Sequence, residues 1–376
     1  MCKLETTRAS ITCPRTPPQP WSSVDPVGYR ARALSGCCCS SACALRPDAA
    51  REARGPVRAR AGAPAFTCVA PPRSPGTGSM STVAIVVPIG PDFRFLSEQL
   101  DALATQEGLA GRPIELLLSC NGSDLETVRC LAGDVSWPSA WTIRAIDSSA
   151  RRGRSPARNI GWAACDADLV LFCDADDVAA PGWAAGIVAA LESGADVVGT
   201  TLEYARLNAT GLNEWGQINV HRLPTKFHHL PFASSCSLGV RRDVLEQTGG
   251  FDEHLERSED VDFSWRAAYL GYRAKFVPES VLHFRRRETP RELFLQGCED
   301  ARSDAALLAR HRLNGASWGV SDLLREVAGV CLALPQALAR RSLTGALATR
   351  AGRLWGHITD LSRLALASRA TQRRHH

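Results

Sequence analysis

Short apolar runs alternate with helix-spaced stretches through the middle of this chain. The runs 83–87, 114–118, 141–146, 169–173 and 196–200 are each a few residues long and rich in β-branched residues or Leu. Between them, 93–106, 124–131, 155–164 and 181–192 have helical character. Continuous apolar strands separated by helices predict an α/β fold, a parallel sheet covered on both faces. After residue 200 the rhythm loosens. The stretch 205–233 is partly irregular and carries Trp215, His221, His228 and His229. Helices are expected near 241–248, 260–270 and 290–311, with a short strand near 274–277. The last segment, 321–368, is helical and partly amphipathic, with Leu354, Ile358, Leu361 and Ala365 on one face and Arg353, Arg363 and Arg369 supplying charge. Its most apolar piece, Val327–Leu334, is expected to be closed by Pro335, and 321–336 to pack against the protein.

The first 79 residues share none of this periodicity. They are rich in Pro, Arg, Ala and Ser and cluster cysteines at Cys37-Cys38-Cys39 and Cys43. The chain has two methionines, Met1 and Met80, and the first clean strand follows Met80 directly. Residues 1–79 therefore read as a disordered or mis-assigned leader, with translation inferred to begin at Met80. A Cys-rich metal-binding leader would need partner histidines and regular spacing that are missing here. The expected organisation is a leader over 1–79, a catalytic domain over 80–312 and a basic helical extension over 313–376.

Charge sharpens that division. The formal net charge of +5 is unevenly spread. Residues 1–79 and 340–376 each carry +7, which leaves the middle, 80–339, at −9. An acidic body with basic ends is the wrong picture for a nucleic-acid binder. The basic C-terminal helix, with Trp355 at its edge, could touch an anionic membrane surface or equally pack its apolar face against the rest of the protein. No run of eighteen apolar residues and no signal-peptide core occurs, and the seven cysteines after residue 79 are scattered singly. These features point to a cytoplasmic protein.

The chemistry gathers where the fourth run ends, at Leu169-Val-Leu-Phe-Cys-Asp-Ala-Asp-Asp177. Ligands bind at the carboxyl edge of open parallel sheets. Asp174 and Asp176 are hard oxygen donors suited to Mg²⁺ or Mn²⁺, and equally able to form an acidic turn before the helix near Pro181. Upstream, Arg151-Arg-Gly-Arg-Ser-Pro-Ala-Arg-Asn159 leads into a helix, with Ser155 as N-cap and Pro156 at the first helical position. Such a basic loop can hold a pyrophosphate or simply be solvated. Downstream, Glu259 and Asp260 open a helix, where they can either cap it or accept a proton from a hydroxyl.

Taken in order, these segments resemble the family 2 glycosyltransferases of the GT-A fold, from about Thr82 to Arg287. The resemblance rests on Val86-Val-Pro88, Asn121-Gly-Ser123, Ala157-Arg-Asn159, Phe172-Cys-Asp-Ala-Asp-Asp177, Gly249-Gly-Phe-Asp252, Glu259-Asp-Val-Asp262 and Trp265-Arg266. It implies a Rossmann-like, mixed but mainly parallel sheet and an inverting transferase that uses a nucleotide diphosphate sugar. It further implies that Pro88 and Asn121 line the nucleotide pocket, that Arg158 lies near the pyrophosphate and that Ser235 contacts a sugar. Asp174 and Asp176 would bind the metal, with His283 where some relatives have a third ligand. Asp260, beside Glu259, would be the general base. The acceptor implied is a glycan, a lipid-linked molecule or a small molecule, as in polysaccharide biosynthesis. The sequence departs from the family at Cys120, where an acid commonly holds the base of the nucleotide, and a thiol is a poor acceptor. That departure keeps open a second reading, a non-catalytic nucleotide-sugar or glycan-binding protein on the same fold.

Overall fold

The computed structural model describes residues 80–109, 111–208, 217–339 and 344–360, all within one compact unit, Thr67–His376. The leader expected over 1–79 lies outside the described residues, as do Trp215, Leu361 and Ala365.

The five apolar runs form β1 (Val83–Ile89), β2 (Ile114–Cys120), β3 (Trp141–Asp147), β4 (Leu169–Cys173) and β6 (Val197–Glu203). Three further strands join them: β5 (Val178–Ala179), β7 (Ser237–Arg241) and β8 (Ala274–His283). The sheet order is β3-β2-β1-β4-β7-β6-β8-β5. β7 runs antiparallel to β4 and β6, and β5 antiparallel to β8, while the remaining pairs are parallel. The sheet is therefore mixed and mainly parallel, as expected.

Side-chain alternation along β1 shows why both faces are covered. Val83, Ile85, Val87 and Ile89 belong to one core, filled by Leu96 and Leu100 of α1 (Leu96–Ala104), Val128 of α2 (Leu125–Gly133) and Trp183 and Ile187 of α4 (Trp183–Glu192). Ala84 and Val86 belong to a second core, filled by Trp162 of α3 (Arg154–Ala163), Val244 and Leu245 of α5 (Arg242–Thr248) and Phe263 of α6 (Glu259–Tyr269). Each of these aliphatic side chains, once buried, stabilises the fold by about 1.5–3 kcal/mol before entropy is counted.

The C-terminal extension is helical: α7 (Pro290–His311), α8 (Val320–Ala339) and α9 (Gly345–Thr359). The start of α7 is fixed by a capping box in which the Thr289 hydroxyl accepts from the Glu292 amide at 3.2 Å, with Pro290 at the first helical position. Glycines let α9 lie directly on α7. A Cβ on Gly297 would stand 2.6 Å from the Thr349 carbonyl oxygen and 2.9 Å from the Arg353 nitrogen. Gly297→Val should therefore lower stability by about 1–3 kcal/mol, read as a lower midpoint in urea at unchanged slope.

One expectation for this region is corrected and another is met on one side only. Pro335 does not end its helix, because α8 continues to Ala339. The ring sits on the exposed side, where water can serve the carbonyl left without an N–H partner. The segment 321–336 does pack against the protein through Val330 and Ala333, while Leu324 and Leu332 are 62% and 73% exposed.

Candidate active site

At the end of β4, Asp174, Asp176 and Asp177 each offer a carboxylate oxygen, all within 4.8 Å of one another. Asp177 is 1% exposed. Its Oδ1 accepts from the Arg285 amide at 2.7 Å, and its Oδ2 is buried without a partner. Burial, and then the charges of Asp176 and Asp174, push the Asp177 carboxyl well above the usual range. Burial and Asp174 raise Asp176 in the same way. Three crowded carboxylates with one orphaned oxygen fit a hard divalent cation, whose charge would offset both the repulsion and the lost hydration. Asp177 thus joins the two aspartates expected from sequence. His283 does not, because its Nδ1 is taken by Glu203 at 2.7 Å and it stands outside the cluster.

Two side chains hold the aspartate turn from behind. Gln99, fully buried on α1, donates to the Asp174 carbonyl at 3.1 Å and accepts from the Ala179 amide at 2.9 Å. Arg158 is 1% exposed and reaches Asp174 Oδ1 and Glu259 Oε1 at 2.7 Å each. Arg158, the residue expected near a pyrophosphate, forms a buried bridge between the end of β4 and the start of α6. Burial alone would lower its pKa, but the charges of Asp174 and Glu259 override that and raise it.

The loop before α3 also departs from its expected form. The N-cap is Gly153 at φ 132°, a backbone conformation that glycine adopts readily, and Ser155 lies buried inside the helix with its hydroxyl unpartnered. The loop is braced from β2's end. Asn121 Oδ1 accepts from the Gly153 amide at 2.9 Å, and its Nδ2 donates to the Ser148 and Arg151 carbonyls at 2.5 and 2.9 Å. Its amide is thereby spent on shaping the loop. Pro88, half-buried, lies beside Ser119 near the end of β1. Cys120 is buried, and burial pushes its thiol up.

Asn159 ties the two downstream motifs together. It accepts from the Phe251 amide at 2.9 Å and donates to the Phe251 carbonyl at 2.8 Å. Gly250, at φ 71°, leaves the room for this, because a Cβ there would lie 2.6 Å from Asn159 Oδ1. Asp262 and Arg266 serve structure in the same way: Asp262 bonds His311 at 3.0 Å and Arg266 at 2.8 Å.

Asp260 stands at the N-terminus of α6. Its Oδ2 accepts from the Ser235 amide at 3.2 Å and its Oδ1 from the Val261 amide at 2.8 Å. Burial first, and the Glu259 charge second, push its pKa up to about 6. Glu259 is differently placed, 3% exposed and engaged by Arg158 and by the Ser235 hydroxyl at 3.4 Å. Ahead of α6, Ser258 adopts φ 62°, a left-handed conformation unusual for serine, and its hydroxyl accepts from Lys226 at 2.9 Å.

Sequence reasoning missed the arginine run after β8. Arg285 donates to the Asp176 carbonyl at 2.8 Å and lies 3.8 Å over the Phe95 ring. With Arg286, Arg287 and Arg94 it lines a cleft that also includes Asp176. Three consecutive arginines were the available signal, but only the fold places them beside the aspartates. His228 and His229 diverge, to Asp322 and Tyr269 at 2.8 Å each, and make no joint metal site.

Comparison with known proteins finds glycosyltransferases. Residues 85–249 match the family model "Glycosyl transferase family 2". The pre-mycofactocin glycosyltransferase of Mycobacterium tuberculosis is 24% identical over 258 residues, covering 65% of this chain and 51% of that protein. Glycosyltransferase AglE of Haloferax volcanii is 24% identical over 208 residues, covering 54% of this chain and 67% of that protein. The chain thus spans about half the length of the first of these relatives. Among solved structures, the mannosyltransferase PcManGT from Pyrobaculum calidifontis, in complex with GDP-Man and Mn²⁺, gives a TM-score of 0.48 at 19% identity, over 77% of this chain and 86% of that one. S. aureus TarS 1–349 in complex with UDP-GlcNAc gives 0.44 at 16%, over 78% and 92%. The family match runs from β1 through the aspartate turn to the glycine that closes α5, and over this stretch the chain is similar to glycosyl transferase family 2.

Proposed function

We propose that this protein is an inverting glycosyltransferase that moves a sugar from a nucleotide diphosphate donor to an acceptor hydroxyl. The observation that carries the reading is the junction at Arg158, which joins a cluster of three aspartates to a helix start bearing a carboxylate of raised pKa. Asp174, Asp176 and Asp177 would hold Mg²⁺ or Mn²⁺, whose chemistry is to neutralise charge on the departing diphosphate. Arg285, Arg286 and Arg287 add positive charge on the same side, and the pocket near Pro88 and Asn121 would take the nucleoside. Asp260 accepts the proton as the acceptor oxygen bonds to the anomeric carbon. The bond from that carbon to the diphosphate oxygen breaks, and its electron pair leaves with the diphosphate. The Ser235 amide, in the turn before β7, holds the base in place.

A thermal-shift panel tests this. The full chain is heated with UDP-, GDP-, dTDP- and CDP-sugars, each with and without Mn²⁺, and the set is repeated on Asp176→Ala. One nucleotide class should raise the midpoint only with metal, by an amount equivalent to about 2.7 kcal/mol at a hundred times its Kd, and the variant should lose the shift. Metal-independent shifts, or none at all, would instead favour the binding-protein reading that Cys120 keeps open.

A further inference from the structure

The outer side of α8 is apolar and uncovered. Val320, Leu332 and Leu338 are 73–74% exposed, and Leu324, Val327 and Leu334 are exposed as well. Val320, Leu324, Val327, Leu334 and Leu338 are three, four or seven positions apart, so they form a stripe along the helix of about 27 Å at 1.5 Å per residue, with Leu332 to one side of it. From Val327 to Ala339 the helix has no charged residue, and Arg340 and Arg341 follow directly in sequence. The inner side is held by a small cluster of Val330, Ala333, Ala337 and Leu347 against α9. On α9, Trp355 and Ile358 are also exposed. Between the two helices lies a groove of about 440 Å³, lined by Ala328, Gly329 and Leu332 and by the charged Arg325, Glu326, Arg350 and Arg353.

Charge decides between possible occupants of this face. Residues 320–376 contain nine arginines and three acids. A second copy would set one basic segment against another, whereas an anionic bilayer complements it. Leucines on one side, arginines beside them and an exposed tryptophan suit the boundary between headgroups and acyl chains. None of the described helices is long and apolar enough to cross a membrane, so the contact is one of lying on the surface. We propose that α8, with the exposed edge of α9, docks the protein on an anionic lipid surface. The proposal is independent of the donor and metal assignments above.

The test is co-sedimentation of the full chain with phosphatidylcholine vesicles, with and without phosphatidylglycerol, for the parent and for the double variant Leu332→Glu/Leu338→Glu. Both leucines are 73% exposed, so the variant should keep its melting midpoint, which is checked alongside. The parent should bind phosphatidylglycerol vesicles and the double variant at least about tenfold more weakly, since two apolar anchors are replaced by like-charged repulsion from the bilayer. Absence of binding to the anionic vesicles, or equal binding of the variant, overturns the proposal. A concentration-dependent dimer that the double variant abolishes, without vesicle binding, assigns the face to a second copy and also overturns it. No donor is needed, so this measurement can fail while sugar transfer stands, and the reverse.

Discussion

Asp260→Asn should fold as the parent does and transfer sugar about 10²–10⁴-fold more slowly, the usual contribution of a positioned general base. The amide keeps the shape of the carboxylate and removes its ability to take a proton. Because burial and the neighbouring Glu259 charge raise the Asp260 pKa to about 6, the parent's rate should fall as pH drops through that value and the base becomes protonated. The variant's residual rate should lack this acid limb. Steady-state rates between pH 5 and 8 read both effects, and a melting curve checks the fold. Glu259→Gln separates the two acids of the pair. Its side chain is already bound to Arg158 and Ser235, so its loss should appear as lowered stability together with lowered activity. An acid limb that persists in Asp260→Asn would remove Asp260 from the role of base.

The largest stability effect is expected at Asp304, on α7. This carboxylate is fully buried and faces Lys226, Arg353 at 3.2 Å and His357 at 3.2 Å. His357 also meets Glu326 of α8 at 2.7 Å. Asp304→Ala leaves a lysine, an arginine and a histidine without their shared partner and should cost about 3–5 kcal/mol, read by urea denaturation. The parent's pH dependence follows from two opposite shifts. Burial works to raise the Asp304 pKa, but Lys226, His357 and Arg353 override it and hold the carboxyl well below its ordinary 3.8. Its contribution is therefore present above 3.8 and is lost only in strong acid, as pH falls through the lowered value. Burial would lower His357, but Asp304 and Glu326 raise it above its ordinary 6.5. That contribution is complete below 6.5 and is lost as pH rises through the raised value. The network should thus stabilise most between about pH 4 and 6.5 and weaken on the alkaline side. His357→Gln should remove the alkaline loss. The same substitution at Asp304 also frees Lys226, which holds Ser258 immediately ahead of the base-bearing helix.

The parts of this fold legible in sequence are those whose burial is one-sided or complete along a continuous run. β1 and β4 read as strands because a parallel strand covered on both faces is apolar almost throughout, whereas the edge strand β3 is only half-buried and mixes Thr142 and Arg144 into its run. The aspartate turn was visible because three acids follow such a run directly. β7 was not visible. Its Ser237-Leu-Gly-Val-Arg241 follows a run of serines and is short and mixed, and it becomes a central strand only because β4 and β6 offer it both edges. Arg158 looked like one cation of a solvated loop, and its burial depends on two carboxylates that arrive from distant segments. Gln99 carried a weak signal, a lone amide among Leu96, Leu100 and Leu103 on an apolar helix face. The N-cap glycine of α3, Gly153, is held by Asn121, 32 residues away, so no local rule could assign that contact. The exposure of α8 was the opposite of what its hydropathy predicts, since apolar sequence reports a preference for leaving water and does not say what will provide the cover.

The Arg158 bridge also bears on the order in which the chain can acquire its structure during synthesis. Asp174 follows Arg158 by sixteen residues, whereas Glu259 follows it by 101. A ribosome that has released β1 to β4 has supplied neighbouring strands that can pair in sequence, together with a guanidinium that must be buried beside a single carboxylate. The second carboxylate emerges only with α6. The first four strands are therefore expected not to be a self-sufficient module despite their pairing, and the aspartate cluster to settle only when the segment bearing Asp260 leaves the exit tunnel.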